Sequence, residues 1–497
     1  MHLTSLLFVA AAALPSTLAQ ADGNLRSCLE KAVGGEKSRV AWKTKFLFDL
    51  LDVHRYNLYY DTDPAAIVYP HDAKEVGAVV VCAAKAKVPV QARSGGHSFG
   101  NYGLGGDGGA VVVDTKHLSQ LTYDEKDQTA HIGPGNGLGD VNAFLLEYDR
   151  LASHGDAPQV GVGGHYTIGG LGRVSRQYGA ACDNILSAEV VLADGSIITA
   201  SPTQNTDMFF AIRGAGASFG IVTDFHIRTH PAPGSAIAFT YNVTLGNAEA
   251  QADAFKAWQA LVSNPKLPRE LSTQFIALPL GISVITGFYY GSEKDFSALK
   301  LDTQLFGIDD AEISVRVVDK AVAVAHDFSE LGLKLFGDVP AHFYSKSLSF
   351  NKDTLMSDDA IDAMFKYLGD INLSTLTTPW FVIFDLEGGA INDVAQNSSA
   401  YAFRDAIFFL QSYAVDLLGL FPDQTRKFLD GLNEVVLEHA GDKDKKFGSY
   451  PGYVDPYLGD NARELYWRGN YERLREIKKV RDPDQVFRNP QSVEPAN

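Results

Sequence analysis

Only three cysteines occur in 497 residues, at 28, 82 and 182, too few for a disulfide-held scaffold and without the spacing of a metal site. Cations are scarce as well. Against 60 Asp and Glu stand 43 Lys and Arg, a formal net charge of −17 that speaks against nucleic acid and anionic membrane surfaces as partners. No apolar run reaches the roughly 20 residues of a membrane span. The glycine clusters lack the strand–turn–helix setting of a Rossmann unit. A chain of this length, 45% hydrophobic and 21% charged, divides into two or three globular domains.

What is present begins with a leader. Leu3 to Leu14 is apolar and is followed by Pro15 and the small-x-small Thr17-Leu18-Ala19, so residues 1–19 read as a signal peptide and the protein as secreted. Sequons at Asn242, Asn372 and Asn397 agree with that compartment, where two cysteines are expected to pair. Cys182 lies in the tight Ala180–Asn184 run and reads as buried, which makes Cys28–Cys82 the favoured bridge.

Many of the 46 glycines cluster between 94 and 220. In Gln91–Gly100 two glycines precede His97, an arrangement that brings bare backbone and a nucleophilic ring nitrogen to a planar ligand. Read alone, the stretch is more simply an ordinary Gly-rich loop with a satisfied histidine. Its setting adds weight: a strand at 66–69, a helix capped by Asp72 with Glu75 as its box partner, and a strand at 89–93 form a β-α-β unit. Ligands of such units lie beyond the carboxyl ends of the strands. A second cluster, Gly161-Val162-Gly163-Gly164-His165 with Gly169, Gly170 and Gly172, has few cations nearby, and successive N–H groups there can cradle a pyrophosphate. A third, Arg213–Gly220, feeds a strand from Ile221 to Arg228.

Pro231–Gly234 marks a boundary. Residues 235–446 read as an antiparallel sheet with helices on one side, at 248–262, 357–368, 400–417 and 424–439; a further helix spans 462–478. In Trp380–Glu387, period two gives Trp380, Val382, Phe384 and Leu386 an apolar core face and leaves Phe381, Ile383, Asp385 and Glu387 on the other.

Together the Arg93–Ser98 loop, Gly161–His165 and the Arg213–Val222 stretch resemble the vanillyl-alcohol-oxidase-type FAD fold. Tyr466–Asn470 and Asp482–Phe487 resemble the closing segment of its berberine-bridge-enzyme-like branch, most like the secreted fungal oligosaccharide oxidases. The resemblance implies an α+β fold: an FAD domain over 20–234, a substrate domain over 235–446, and 447–497 returning to the FAD domain. It implies FAD bonded covalently to His97, with Arg93, Ser94, Gly95, Gly96, Ser98, Val160, Gly161, Gly164, His165, Gly169, Gly170, Gly172, Ile221 and Val222 around it. Arg93 on this reading chiefly supports the loop. A second, cysteinyl link found in many members is excluded, because its position is Ala157 in His154-Gly155-Asp156-Ala157-Pro158.

Tyr453 falls on the family's catalytic tyrosine, in a pattern usually Asn-Tyr-x-Asp where this chain has Gly452; Asp385 falls on the partner carboxylate. A tyrosine is a poor base near neutrality, and the carboxylate supplies an acceptor for its proton. Val160 falls on the position where, in this family, a valine admits oxygen to the flavin and a leucine blocks it, so the resemblance implies an oxidase that releases hydrogen peroxide. Phe99, Phe381 and Ile383 stand where the sugar oxidases carry a tyrosine, a tryptophan and a glutamine, which makes the pocket less polar. The expected activity is oxidation of an alcohol or hemiacetal by a secreted monomer. The alternatives are an oxidase of phenolic, aryl or secondary-metabolite alcohols, or a flavin-loaded protein with little turnover.

Overall fold

The His97 loop leaves the end of a small sheet whose strands are built of valine and alanine. The computed structural model describes residues 24–106, 108–244, 247–301, 305, 312–319, 339–371, 378–440 and 447–497. The leader at 1–19 and the sequon at Asn372 lie outside them. In the first sheet β1 (Val40–Trp42), β2 (Ala66–Val68), β3 (Val90–Arg93) and β4 (Val111–Asp114) run in the order β1-β2-β4-β3. β2, β4 and β3 are parallel, and β4 is buried throughout, as a strand covered on both faces must be. β2, the helix that follows and β3 thus form the expected β-α-β unit, with β4 inserted between its two parallel strands. The helix Ala73–Lys85 is capped by Asp72, which accepts the Glu75 N–H at 2.9 Å. Glu75 does not answer Asp72; its carboxylate goes to the His71 N–H and to Arg39. The Cys28–Cys82 disulfide joins this helix to the preceding N-terminal segment, and Cys182 is free and buried.

The second sheet is antiparallel and follows on: β5 (Leu121–Asp124), β6 (Thr129–Ile132), β8 (Ile185–Val191), β9 (Ile197–Ala200) and β10 (Ile221–Arg228), in the order β5-β6-β10-β8-β9. A two-stranded ribbon pairs β7 (Arg150–Leu151) with β11 (His230–Pro231).

The third sheet has seven strands: β12 (Ser235–Thr244), β13 (Leu271–Leu278), β14 (Ile282–Tyr289), β15 (Glu312–Asp319), β16 (His342–Phe350), β17 (Trp380–Leu386) and β18 (Phe408–Asp416). Their order is β15-β12-β14-β13-β17-β18-β16. Helices Ala248–Val262, Asp358–Ile371 and Pro422–Glu438 cover one face, against which Trp380, Val382, Phe384 and Leu386 are buried. Residues 400–417 are not a helix. The aromatic, two-sided apolar run Phe408–Asp416 within them is β18, buried along its whole length between β17 and the edge strand β16. β16 was not foreseen, because Ser345, Ser347 and Ser349 give its sequence a polar look while their hydroxyls are buried.

The closing segment packs back on the glycine loops. It is two helices, Ala462–Trp467 and Tyr471–Arg481, broken at Arg468, where φ is +47°. Lys478 Nζ donates to the Ser218 carbonyl, to the Phe487 carbonyl and to Asp482, and the Val90 N–H donates to the Val486 carbonyl at 2.7 Å.

Candidate active site

Three glycine loops, β13, β17 and the closing segment meet around one cavity of about 450 Å³. Beneath it Arg93 organises the first loop. Its guanidinium binds Asp114 at 2.5 Å and the carbonyls of Asp52 and Val53, all buried. Arg93 edges the cavity, but its donors are turned to protein. Ser94 Oγ donates to the Pro134 carbonyl and accepts the Gly163 N–H at 3.2 Å, stitching the first two loops together. At the seam a Cβ on Gly95 would stand 2.4 Å from Gly161 N, so these two glycines allow two backbones to touch. Both line the cavity, as does Gly164, where a Cβ would meet no protein atom within 4 Å.

Gly96, His97, Ser98, Val160, Gly172, Ile221 and Val222 also line the cavity. The His97 ring lies 4.7 Å from that of Tyr56. His165 lines it too, its Nε2 accepting the Gly155 N–H at 2.8 Å. Gly169 and Gly170 do not: they make room for Tyr401 and for Ala181 and His165. Among the described residues no lysine and no cysteine lines the cavity, Ala157 does, and Arg173 is paired with Asp156 at 3.2 Å. A bare-backbone cradle without free lysines suits a nucleotide diphosphate held by N–H groups, and thus FAD.

β17 presents Ile383 and Asp385 to the cavity, and Glu387 lines it just past the strand's end. Asp385 faces Gln274 of β13 in register and accepts its Nε2–H at 2.5 Å. Tyr453 reaches the same cavity from the loop before the closing helices. Burial, then the charge of Asp385, pushes its phenol well above the ordinary tyrosine range. Gly452 also has a physical reason: a Cβ there would lie 2.3 Å from the Tyr450 ring, which packs edge-on to Tyr453. Tyr450 is itself held by the Gly170 N–H at 3.0 Å. Phe99 stacks 6.1 Å from Tyr453 and contacts Tyr56, Phe343 and Tyr413. Phe381, expected at the pocket, is buried behind it, stacked 4.8 Å from Tyr413.

Sequence reasoning missed Gln274, Gln411 and Tyr56, all lining residues. The alternation along β13, with Phe275 and Ala277 turned to the core, could have placed Gln274 on the face of Asp385.

Fold and cavity define an FAD-linked oxidoreductase. The FAD binding domain family matches residues 64–201, and the berberine and berberine-like family matches 449–494. The FAD-linked oxidoreductase sorD of Penicillium rubens is 39% identical over 96% of this chain and 99% of its own. The xylooligosaccharide oxidase of Thermothelomyces thermophilus is 34% identical over 93% and 92%. A glucooligosaccharide oxidase from Acremonium strictum, whose FAD is 6-S-cysteinyl and 8α-N1-histidyl, superposes with a TM-score of 0.84 at 31% identity, covering 95% of this chain and 99% of that one. The chain belongs to this family of FAD-dependent oxidoreductases with a berberine-like closing segment, and FAD is its cofactor.

Proposed function

We propose that the protein is a secreted, monomeric FAD oxidase that takes a hydride from an alcohol or hemiacetal carbon and releases hydrogen peroxide, with Tyr453 and Asp385 as the base. The observation that carries this reading is the meeting of Tyr453, Asp385 and His97 on one cavity. FAD, when bound, accepts the hydride and passes its electrons to O2, to which Val160 leaves access. His97 holds the cofactor by a single covalent bond, since no cysteine lines the cavity among the described residues. Tyr453 stays a phenol at rest, because a phenolate beside Asp385 in a buried site is costly. As the substrate hydroxyl loses its proton, Tyr453 Oη takes it and hands its own to the Asp385 carboxylate, which Gln274 orients. The unit boundaries at 234/235 and 446/447 belong to the same reading.

Three named oligosaccharide oxidases among the relatives support a carbohydrate substrate. A second reading rests on the wall of Phe99, Tyr56 and Ile383, which offers few bonds to sugar hydroxyls and suits an aryl alcohol. Peroxide release across xylobiose, cellobiose and substituted benzyl alcohols separates the two. Flavin reduction by none of them overturns both. Denatured protein should stay yellow, and His97→Ala should release the colour; loss of colour from the wild type would overturn the covalent bond.

A further inference from the structure

Tyr453 stands on a loop, yet it must meet Asp385 on a strand to within a fraction of an ångström. A loop needs an external reference for that, and one lies two residues on. Asp455 is buried, and its Oδ2 lies 2.7 Å from Lys346 Nζ. Its Oδ1 accepts the Tyr457 N–H, its own N–H donates to Tyr466 Oη, and its carbonyl accepts Gln491 Nε2. Lys346 belongs to β16. In register it faces Ser412 of β18, which in turn faces Val382 of β17. Lys346 is therefore fixed in the sheet that carries Asp385, so the loop of Tyr453 is referenced to the strand of its partner.

We propose that Lys346 and Asp455 are a positioning pair that sets Tyr453 against Asp385; the proposal rests on the reading of those two residues as the base. Neither Lys346 nor Asp455 lines the cavity, so the pair acts through Tyr453. A buried ion pair is weak evidence for stability, but its charged hydrogen bond fixes both distance and direction. The third member makes the pair separable from folding. Asp430, on helix Pro422–Glu438, also lies 2.9 Å from Lys346 Nζ. Burial works against the ammonium, and the two carboxylates more than offset it, holding Lys346 above its ordinary pKa. When Asp455 is neutralised, Lys346 keeps Asp430 and no buried cation is stranded.

The test compares flavin-loaded wild type, Asp455→Asn, Tyr453→Phe and the double variant. Crystal structures of wild type and Asp455→Asn provide a readout that needs no substrate: the fold is unchanged, and Tyr453 is displaced from Asp385. Anaerobic reduction of the flavin by xylobiose, or by 4-methoxybenzyl alcohol, provides the kinetic one. Asp455→Asn lowers the limiting rate about 10- to 100-fold with KM changed less than about twofold. In the Tyr453→Phe background the same change costs less than about twofold, because the residue it positions is gone. An unmoved Tyr453, or an undiminished loss in that background, overturns the proposal. A Tyr453→Phe variant as fast as wild type overturns the assignment of the base instead, and the crystallographic comparison still decides the positioning role.

Discussion

Gln274 of β13 and Asp385 of β17 face each other in register, and the amide Nε2 donates to the carboxylate Oδ1 at 2.5 Å. The pair connects two neighbouring strands at the point where the sheet borders the cavity. A carboxylate that must accept a proton from Tyr453 is thereby held in one orientation. Gln274→Leu is expected to lower kcat about 10-fold or more, since a hydrogen bond to a charged group is worth roughly 1.5–3 kcal/mol. Steady-state peroxide release measures it. An unchanged kcat would show that other contacts orient Asp385 sufficiently.

Glu387 gives the protein a pH-dependent weakness. Burial and then the charge of Asp385 raise its carboxyl well above the ordinary value. The folded chain therefore holds this proton more tightly than the unfolded chain. The associated stability is complete below the unfolded pKa, about 4.5, and is lost as pH rises toward the folded value. Glu387→Gln keeps the neutral form at every pH. Its melting temperature should match the wild type at acidic pH, where both proteins carry a neutral side chain, and exceed it increasingly as pH rises. A thermal melt series checks the widening gap; a constant gap would remove Glu387 as the cause.

Two glycines of the cradle should respond in opposite ways. Gly164→Ala puts a methyl group into open cavity and should lower the bound FAD per chain with little change in fold. Gly95→Ala drives its Cβ to 2.4 Å from Gly161 N and should reduce soluble yield before any question of cofactor arises. The ratio of absorbance at about 450 nm to that at 280 nm, read beside far-UV circular dichroism, distinguishes the two. Full flavin content in Gly164→Ala would show that the cofactor does not lie on that backbone.

Much of this was legible in the sequence because local chemistry dictated it. The Asp72 cap, the glycine loops and the two-faced strand Trp380–Leu386 each declare themselves within a few residues. What was not legible depends on partners distant in the chain. β18 has an apolar pattern that fits a helix until β16 and β17 flank it. Gly95 and Gly161 line the cavity as their sequence suggests, but no local pattern reveals that they also pack against each other. Phe381 shares the Asp385 face of β17, but Tyr413 takes up its ring, and no spacing within the strand reveals that. Asp455 and Lys346 lie more than a hundred positions apart and join only because the closing segment returns.

Phe99 and Ile383 carry the question of substrate. Both line the cavity, Phe99 stacked 6.1 Å from Tyr453, and neither can bond a hydroxyl. A pocket built to pair hydroxyls rejects compounds that lack them, whereas an apolar wall leaves sugar hydroxyls unpaired at a cost. The double change Phe99→Tyr with Ile383→Gln restores two bonding groups at these positions. Each neutral hydrogen bond is worth about 0.5–1.5 kcal/mol, so together they should raise kcat/KM for xylobiose roughly 5- to 100-fold. The same change should lower kcat/KM for 4-methoxybenzyl alcohol, because the amide and phenol must then be desolvated without a partner. Peroxide release from both compounds by both proteins gives the four values. A parallel rise for both substrates would mean that these side chains tune access to the site rather than recognition in it. Opposite movements would assign the wild-type wall to an aromatic or otherwise sparsely hydroxylated alcohol.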